Sequence, residues 1–258
     1  MTAAEPKAVR LRREATRVVQ HLPGPVRRSV WRGRRAAARA HRRRLERRGD
    51  FRLSRPANYG MDARLDELLY RDGGFFIEAC ANDGFVQSNT YYLERARGWR
   101  GLLVEPTPFL ADAARRERPN STVVQCGLVA PDFPDDELEL RFGGSMTVVE
   151  DPTAHEWVKD SQSNAALDEA EHVFRVPART LSDVLDEIGA PEIDLLTLDV
   201  EGYEAPVLRG LDLTRHAPRF ALIEVGLRGE RADVEAIIGE RYRPVEELSP
   251  FDVLYERV

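Results

Sequence analysis

Cysteine is scarce in this chain: Cys80 and Cys126 are the only two in 258 residues, 46 positions apart and without a CxxC pair. That excludes a disulfide framework and any zinc site built on cysteine spacing; both thiols fall at predicted strand ends, where small buried cysteines are common. Long apolar runs are missing as well. No stretch approaches the ~20 apolar residues that span a bilayer, and no signal-type apolar segment follows the basic start. The expectation is a cytoplasmic protein. A G-x-G-x-x-G turn, which lets a pyrophosphate rest on backbone amides at a helix start, is also lacking, and there is no internal repeat.

What is abundant is charge, unevenly placed. Residues 1–50 hold 16 Lys/Arg against 4 Asp/Glu, whereas residues 51–258 hold 22 against 40. A net of +12 is therefore attached to a body of −18, which divides the chain into a basic Arg/Ala-rich arm, 1–50, and a single α/β domain, 51–258. Pro23-Gly24-Pro25 separates two short basic helical or partly disordered segments in the arm. Such an arm is a solvated appendage or a contact for an anionic membrane surface or an acidic partner; with little aromatic interleaving beyond Trp31, nucleic acid is the least favoured partner.

From Phe51 onward, apolar runs alternate with helical patterns. The spacing predicts a helix over 61–70, a strand from Phe75, a helix over 86–97, a strand at 101–105, a helix over 107–117 and a strand at 122–126. The rhythm then changes to a hairpin, 138–142 and 173–176, carrying a long polar loop that follows the Gly143-Gly144-Ser145 turn. Alternation resumes with helix 181–188, strand 193–198, helix 203–209, strand 220–223, helix 232–238 and two terminal strands, the last expected antiparallel. This pattern predicts a mostly parallel, Rossmann-like sheet.

Four predicted strands end on carboxylates: Glu78, Glu105, Asp199 and Glu224. In an open α/β sheet the ligand crevice lies beyond the carboxyl ends of the strands, so these acids are expected at one rim. Crowded carboxylates raise one another's pKa and call for a cation, hydroxyl donors or a metal. The first loop, Cys80-Ala-Asn82-Asp83-Gly84, has one glycine and an acid that would repel phosphate. A cofactor carrying a sulfonium, an ammonium and a ribose diol, S-adenosyl-L-methionine, suits this rim better than a nicotinamide dinucleotide. An oxidoreductase using the latter is the rival enzyme, and an inactive scaffold that binds membrane or nucleic acid through its arm is the rival without activity.

Glu78-Ala-Cys-Ala-Asn-Asp-Gly84, Ser88-Asn-Thr90, Gly98-Trp99-Arg-Gly101, Val104-Glu105-Pro106, Arg118-Pro119, Thr180-Leu181 and Ile193-Asp-Leu-Leu-Thr-Leu-Asp-Val-Glu-Gly202, with Glu204 and Leu208-Arg-Gly210, resemble the FkbM family of S-adenosylmethionine-dependent methyltransferases. The resemblance runs from about Gly74 to Val225. It implies a Rossmann-like methyltransferase fold and O-methylation of a sugar, glycan or glycosylated natural product. Where the family usually has glycine, this chain has Cys80. Glu78, Cys80, Asn82, Asp83, Gly84 and Asn89 are candidates for the cofactor loop, Asn89 equally for a helix cap; Glu105 with Pro106 is the candidate for the ribose, and Gln125-Cys126-Gly127 for the adenine. Asp199, shared with the cofactor, and Glu201 are candidates for catalysis or acceptor contact. Asp199 would take the acceptor's proton, or with Glu224 hold a divalent ion, the lesser alternative. Glu224 and His155, the latter in the inserted loop, are further candidates for catalysis, and Ser145, Met146 and Trp157, in or beside that loop, are candidates for the acceptor side.

Overall fold

The structure, a computed structural model, describes residues 24–142, 147–149, 172–226 and 230–258. These fall into two compact units, one ending at Asp50 and one beginning at Phe51. The first unit is built on α1 (Gly24–Glu46), which starts within the Pro-Gly-Pro segment, since proline is tolerated in a first helical turn. Arg43 and Arg44 close α1, where cations complement the carbonyl end of the helix dipole. From Gly33 to Ala38 every residue of α1 is exposed. No helix among the described residues is long and apolar enough to cross a membrane.

The second unit is a doubly wound α/β fold. Its strands are β1 (Phe75–Ala79), β2 (Arg100–Val104), β3 (Thr122–Val124), β8 (Leu195–Leu198), β9 (Phe220–Glu224), β10 (Tyr242–Glu247) and β11 (Asp252–Arg257), in the spatial order β10-β11-β9-β8-β1-β2-β3. The five strands from β3 to β9 run parallel; β11 pairs antiparallel with both β9 and β10. Strand order reverses at β1, with β2 on one side and β8 on the other, which opens a crevice beyond their carboxyl ends.

Alternation along each strand divides the core into two layers. Ile77, Leu102, Leu196 and Ile223 pack against Leu181 and Leu185 of α5 (Leu181–Ile188) and Val207 of α6 (Glu204–Arg209). Phe76, Leu103, Leu195 and Leu222 face Leu65 of α2 (Met61–Leu69), Leu93 of α3 (Tyr91–Arg97) and Ala114 of α4 (Pro108–Glu117). Most of these side chains are wholly buried, each stabilising the fold by about 1.5–3 kcal/mol relative to exposure. The last helix, α7 (Glu230–Ile238), adds Val234 and Ile238 to the first layer.

A second sheet is inserted after β3. It comprises β4 (Gly127–Leu128), β5 (Glu137–Phe142), β6 (Thr147–Val149) and β7 (His172–Arg179), with β5 antiparallel to β7 and to β6. The expected hairpin is thus present, and the strand expected over 122–126 ends at Val124, ahead of the separate β4. A second difference lies at residues 86–97, where only Tyr91–Arg97 is helical. The backbone amides of Phe85 and Val86 bond Asp83 and that of Asn89 bonds Glu78, so local carboxylates take amides that a helix would have used.

Candidate active site

Strand parity places the acids. Leu103, Leu195 and Leu222 lie in one core layer, and stepping two residues at a time along their strands leads to Glu105, Thr197 and Asp199, and Glu224. Phe76 leads likewise to Glu78. All four predicted strand-end carboxylates therefore lie on one face of the sheet. A crevice there encloses about 620 Å³, part of it open to solvent, and is lined by Glu78, Cys80, Asn82, Asn89, Glu105, Asp199 and Glu201 together with Gln87, Ser88 and Thr197. Among the described residues, no lysine, arginine or histidine lines it.

Backbone strain concentrates at this crevice. Among the described residues, six that are not glycine have positive φ, and four of them line it: Cys80 (59°), Asn82 (51°), Gln87 (60°) and Glu201 (58°). Each such conformation costs on the order of 1 kcal/mol and persists only where neighbours enforce it. Glycine would suit the position of Cys80, and cysteine occupies it at that conformational cost. The Cys80 thiol is held neutral: burial raises its pKa well above the usual thiol range, with Glu105 and Asp199 adding to the effect.

Glu105 is 3% exposed and accepts the amides of Asn82 (2.8 Å) and Thr107 (2.9 Å). Burial pushes its pKa up to about 7, and the two amides hold it from going higher. It ties the end of β2 to the first loop. Glu78 is turned inward: its carboxylate accepts Ser88 Oγ (2.9 Å), the Asn89 amide (2.8 Å), Thr90 Oγ1 (2.5 Å) and Arg118 (3.2 Å). Asn89, 8% exposed, keeps a buried Oδ1 with no hydrogen-bond partner at the crevice.

Asp199, Glu201 and Glu224 each bring a carboxylate oxygen within 4.8 Å of the other two. Asp199 retains access to solvent, yet surrounding protein atoms strip part of its hydration. That desolvation and the neighbouring Asp252 raise its pKa, opposed by a hydrogen bond with Glu224. Glu224 is raised further, by burial first and then by Asp199, Glu201, Glu204 and Asp252. Two carboxyls this close resist ionising together, and Glu224, pushed up further than Asp199, is the one that keeps a proton to higher pH. Below it, Glu204, wholly buried, accepts the amides of Val200 (2.8 Å) and Gly202 (3.3 Å) and fixes the turn on which Glu201 sits.

The family model for the methyltransferase FkbM domain matches residues 78–243. The chain belongs to this family. Its FkbM domain thus begins at Glu78 and takes in the whole crevice, while the partner strand residue Asp252 lies beyond the match. The chain is 33% identical over 165 residues to Methyltransferase 1 of Beauveria bassiana (strain ARSEF 2860), a match covering 59% of this chain and 64% of that protein. It therefore spans less than two thirds of that relative. Among solved structures, methyltransferase FkbM from Methylobacillus flagellatus KT is similar at 14% identity and a TM-score of 0.44, over 72% of this chain and 44% of that one. An O-methyltransferase from Bacillus cereus in complex with SAH gives 12% identity and a TM-score of 0.45, over 86% and 90%.

Not every residue singled out in the sequence reaches the crevice of the FkbM domain. Asp83 caps the amides of Phe85 and Val86, and Gly84 (φ 79°) sits behind the loop against Ala114 and Arg118, where a Cβ would lie 2.9 Å from Arg118 Cγ. Pro106, Cys126 and Gly127 line an adjoining apolar recess with Leu138, Leu140 and Tyr203, which meets the crevice at Cys80. Burial pushes the Cys126 thiol up to about 11. Gln125 lines neither space and donates to the Pro106 carbonyl (3.0 Å). Glu224 stands beside Asp199 off the crevice lining. His155, Ser145, Met146 and Trp157 lie outside the described residues. Thr197 and Gln87 are crevice residues with no distinguishing local signal, since a threonine in a strand and a glutamine in a loop are ordinary there. Arg118 is the larger omission: nothing local marks an arginine at a helix end as wholly buried.

Proposed function

We propose that this chain transfers the methyl group of S-adenosylmethionine to a hydroxyl of a sugar, a glycan or a glycosylated natural product. The observation that carries the reading is the lining of the crevice, which among the described residues offers carboxylates and the unpartnered Asn89 Oδ1 and no cation. A sulfonium with an ammonium tail is stabilised in such a field, and a pyrophosphate is repelled. Family membership supports the same reaction class.

The residues divide the work as follows. Glu105, at the end of β2, accepts the ribose hydroxyls, and Asn89 accepts from the ammonium. Glu224 keeps its proton and hydrogen-bonds Asp199, which fixes one Asp199 oxygen and leaves the other for the acceptor. Bound S-adenosylmethionine would supply an electrophilic methyl group that leaves its sulfur as the acceptor oxygen attacks, and Asp199 would take the hydroxyl proton. Asp199's raised pKa suits a base working near neutrality, and such a base contributes about 10²–10⁴-fold in rate; in-line positioning contributes the rest. A mass-spectrometric screen of sugars, glycans and glycosylated metabolites with S-adenosylmethionine tests this. A gain of one methylene mass with wild type, absent with Asp199→Asn, is expected. Turnover that consumes a nicotinamide dinucleotide and leaves the acceptor unmethylated would overturn it.

A further inference from the structure

We infer that Arg118 is a positioning residue: buried behind the crevice, it clamps the 84–90 segment into the conformation that receives the cofactor. This rests on the reading of the crevice as an S-adenosylmethionine site. The crevice wall from Val86 to Asn89 belongs to no helix or strand and includes the positive-φ residue Gln87. A wall of this kind needs an external hold. Arg118, with no exposed surface, supplies it from the C-terminal end of α4. Its Nη1 donates to the Gly84 carbonyl (3.2 Å), Ser88 Oγ (3.1 Å) and Glu78 (3.2 Å), its Nη2 to Thr90 Oγ1 (2.8 Å) and its Nε to Glu94 (2.7 Å). The guanidinium carbon stands 5.0 Å from the Phe76 ring centroid and 5.5 Å from that of Tyr91.

The connectivity explains why one arginine governs the wall. Gly84, Ser88 and Thr90 are its two ends, and all three bond Arg118 directly. Glu78 joins them, because one oxygen takes Arg118, Ser88 and Thr90 while the other takes the Asn89 amide, which sets where Asn89 points. Glu94, 3% exposed, accepts Arg118 Nε (2.7 Å) and the Ser121 hydroxyl (2.5 Å) on the same oxygen, which fixes the guanidinium from its other side. A lysine could not replace this fork, since one ammonium cannot reach five acceptors spread across two elements. Arg118 itself is not among the described lining residues of the crevice, so it acts on the site through the wall it holds.

Thr90 provides the test, because it bonds Arg118 and Glu78 without lining the crevice. In the full-length chain, Thr90→Val and Arg118→Lys are compared with wild type by amide hydrogen exchange of the 84–90 segment without ligand, and by calorimetric titration with S-adenosylhomocysteine. In a Thr90→Val protein whose circular dichroism matches wild type, exchange in 84–90 should accelerate relative to β1 and β8. If the wall is then formed a tenth of the time, affinity falls about tenfold. Unchanged exchange in the folded variant overturns the clamp, as does an affinity within about twofold of wild type. Failure of wild type itself to bind refutes the cofactor reading instead, and the exchange comparison alone then decides the clamp.

Discussion

Replacing Glu105 by glutamine should shift the ligand-free protein's stability relative to wild type in a way that depends on pH. Burial raises this carboxyl from 4.5 to about 7 in the fold. A group whose folded pKa lies above its unfolded value stabilises the fold fully below the unfolded value and loses that contribution as pH rises through the folded one. For Glu105 the window is therefore roughly pH 4.5 to 7. At about 1.4 kcal/mol per pH unit the contribution is about 3 kcal/mol. Glutamine does not titrate, so the stability of Glu105→Gln minus that of wild type should grow by about 3 kcal/mol from pH 4 to pH 8. The amide group of glutamine also faces an N–H of Asn82 or Thr107, a loss of about 1–3 kcal/mol that does not vary with pH. Taking the difference between two pH values removes it. Urea unfolding of both proteins across that range measures the quantity directly. A difference constant with pH would refute the idea that Glu105 is a charge held in the fold at a cost, for the sake of a ligand. A drop in S-adenosylhomocysteine affinity of the variant should accompany the gain.

Asp199→Asn should lower turnover by about 10²–10⁴-fold while leaving cofactor affinity within a few-fold, as read by initial rates and calorimetry; an unchanged rate would remove Asp199 from the chemistry. Deleting residues 1–50 should leave S-adenosylhomocysteine binding intact, because the acidic crevice lies wholly within the unit that begins at Phe51; loss of cooperative unfolding in the truncated chain would show that the arm belongs to the core.

Much of this architecture was readable from periodicity. Apolar runs ending in Glu78, Glu105, Asp199 and Glu224 marked four parallel strands, and a period of two carried their carboxylates to one face once the core partners Phe76, Leu103, Leu195 and Leu222 were known. The direction each carboxylate takes was hidden, because it depends on donors distant in sequence: Arg118 is 40 residues from Glu78. The helix expected over 86–97 failed for a related reason. Its first half, Val86-Gln-Ser-Asn-Thr90, is made mostly of weak helix formers, and Asp83 and Glu78 compete for its amides, the latter only after β1 is in place. Asp83 itself looked like part of the cofactor loop, and its position explains the different outcome: an Asn-Asp-Gly turn serves its own backbone as readily as a ligand. Cys80 shows the reverse case, where the conformation and not the side chain matters. Its φ of 59° accounts for glycine in the motif it departs from.

On the proposed function, the crevice at the carboxyl ends of β1, β2 and β8 receives a cationic nucleoside cofactor. Titration calorimetry of the full-length chain at neutral pH, with S-adenosylmethionine, S-adenosylhomocysteine and oxidised and reduced nicotinamide dinucleotides in parallel, tests it most directly. Saturable binding of the first two, with no heat of binding from the dinucleotides, is the expected result. Binding of a dinucleotide with neither sulfur nucleoside bound would contradict it.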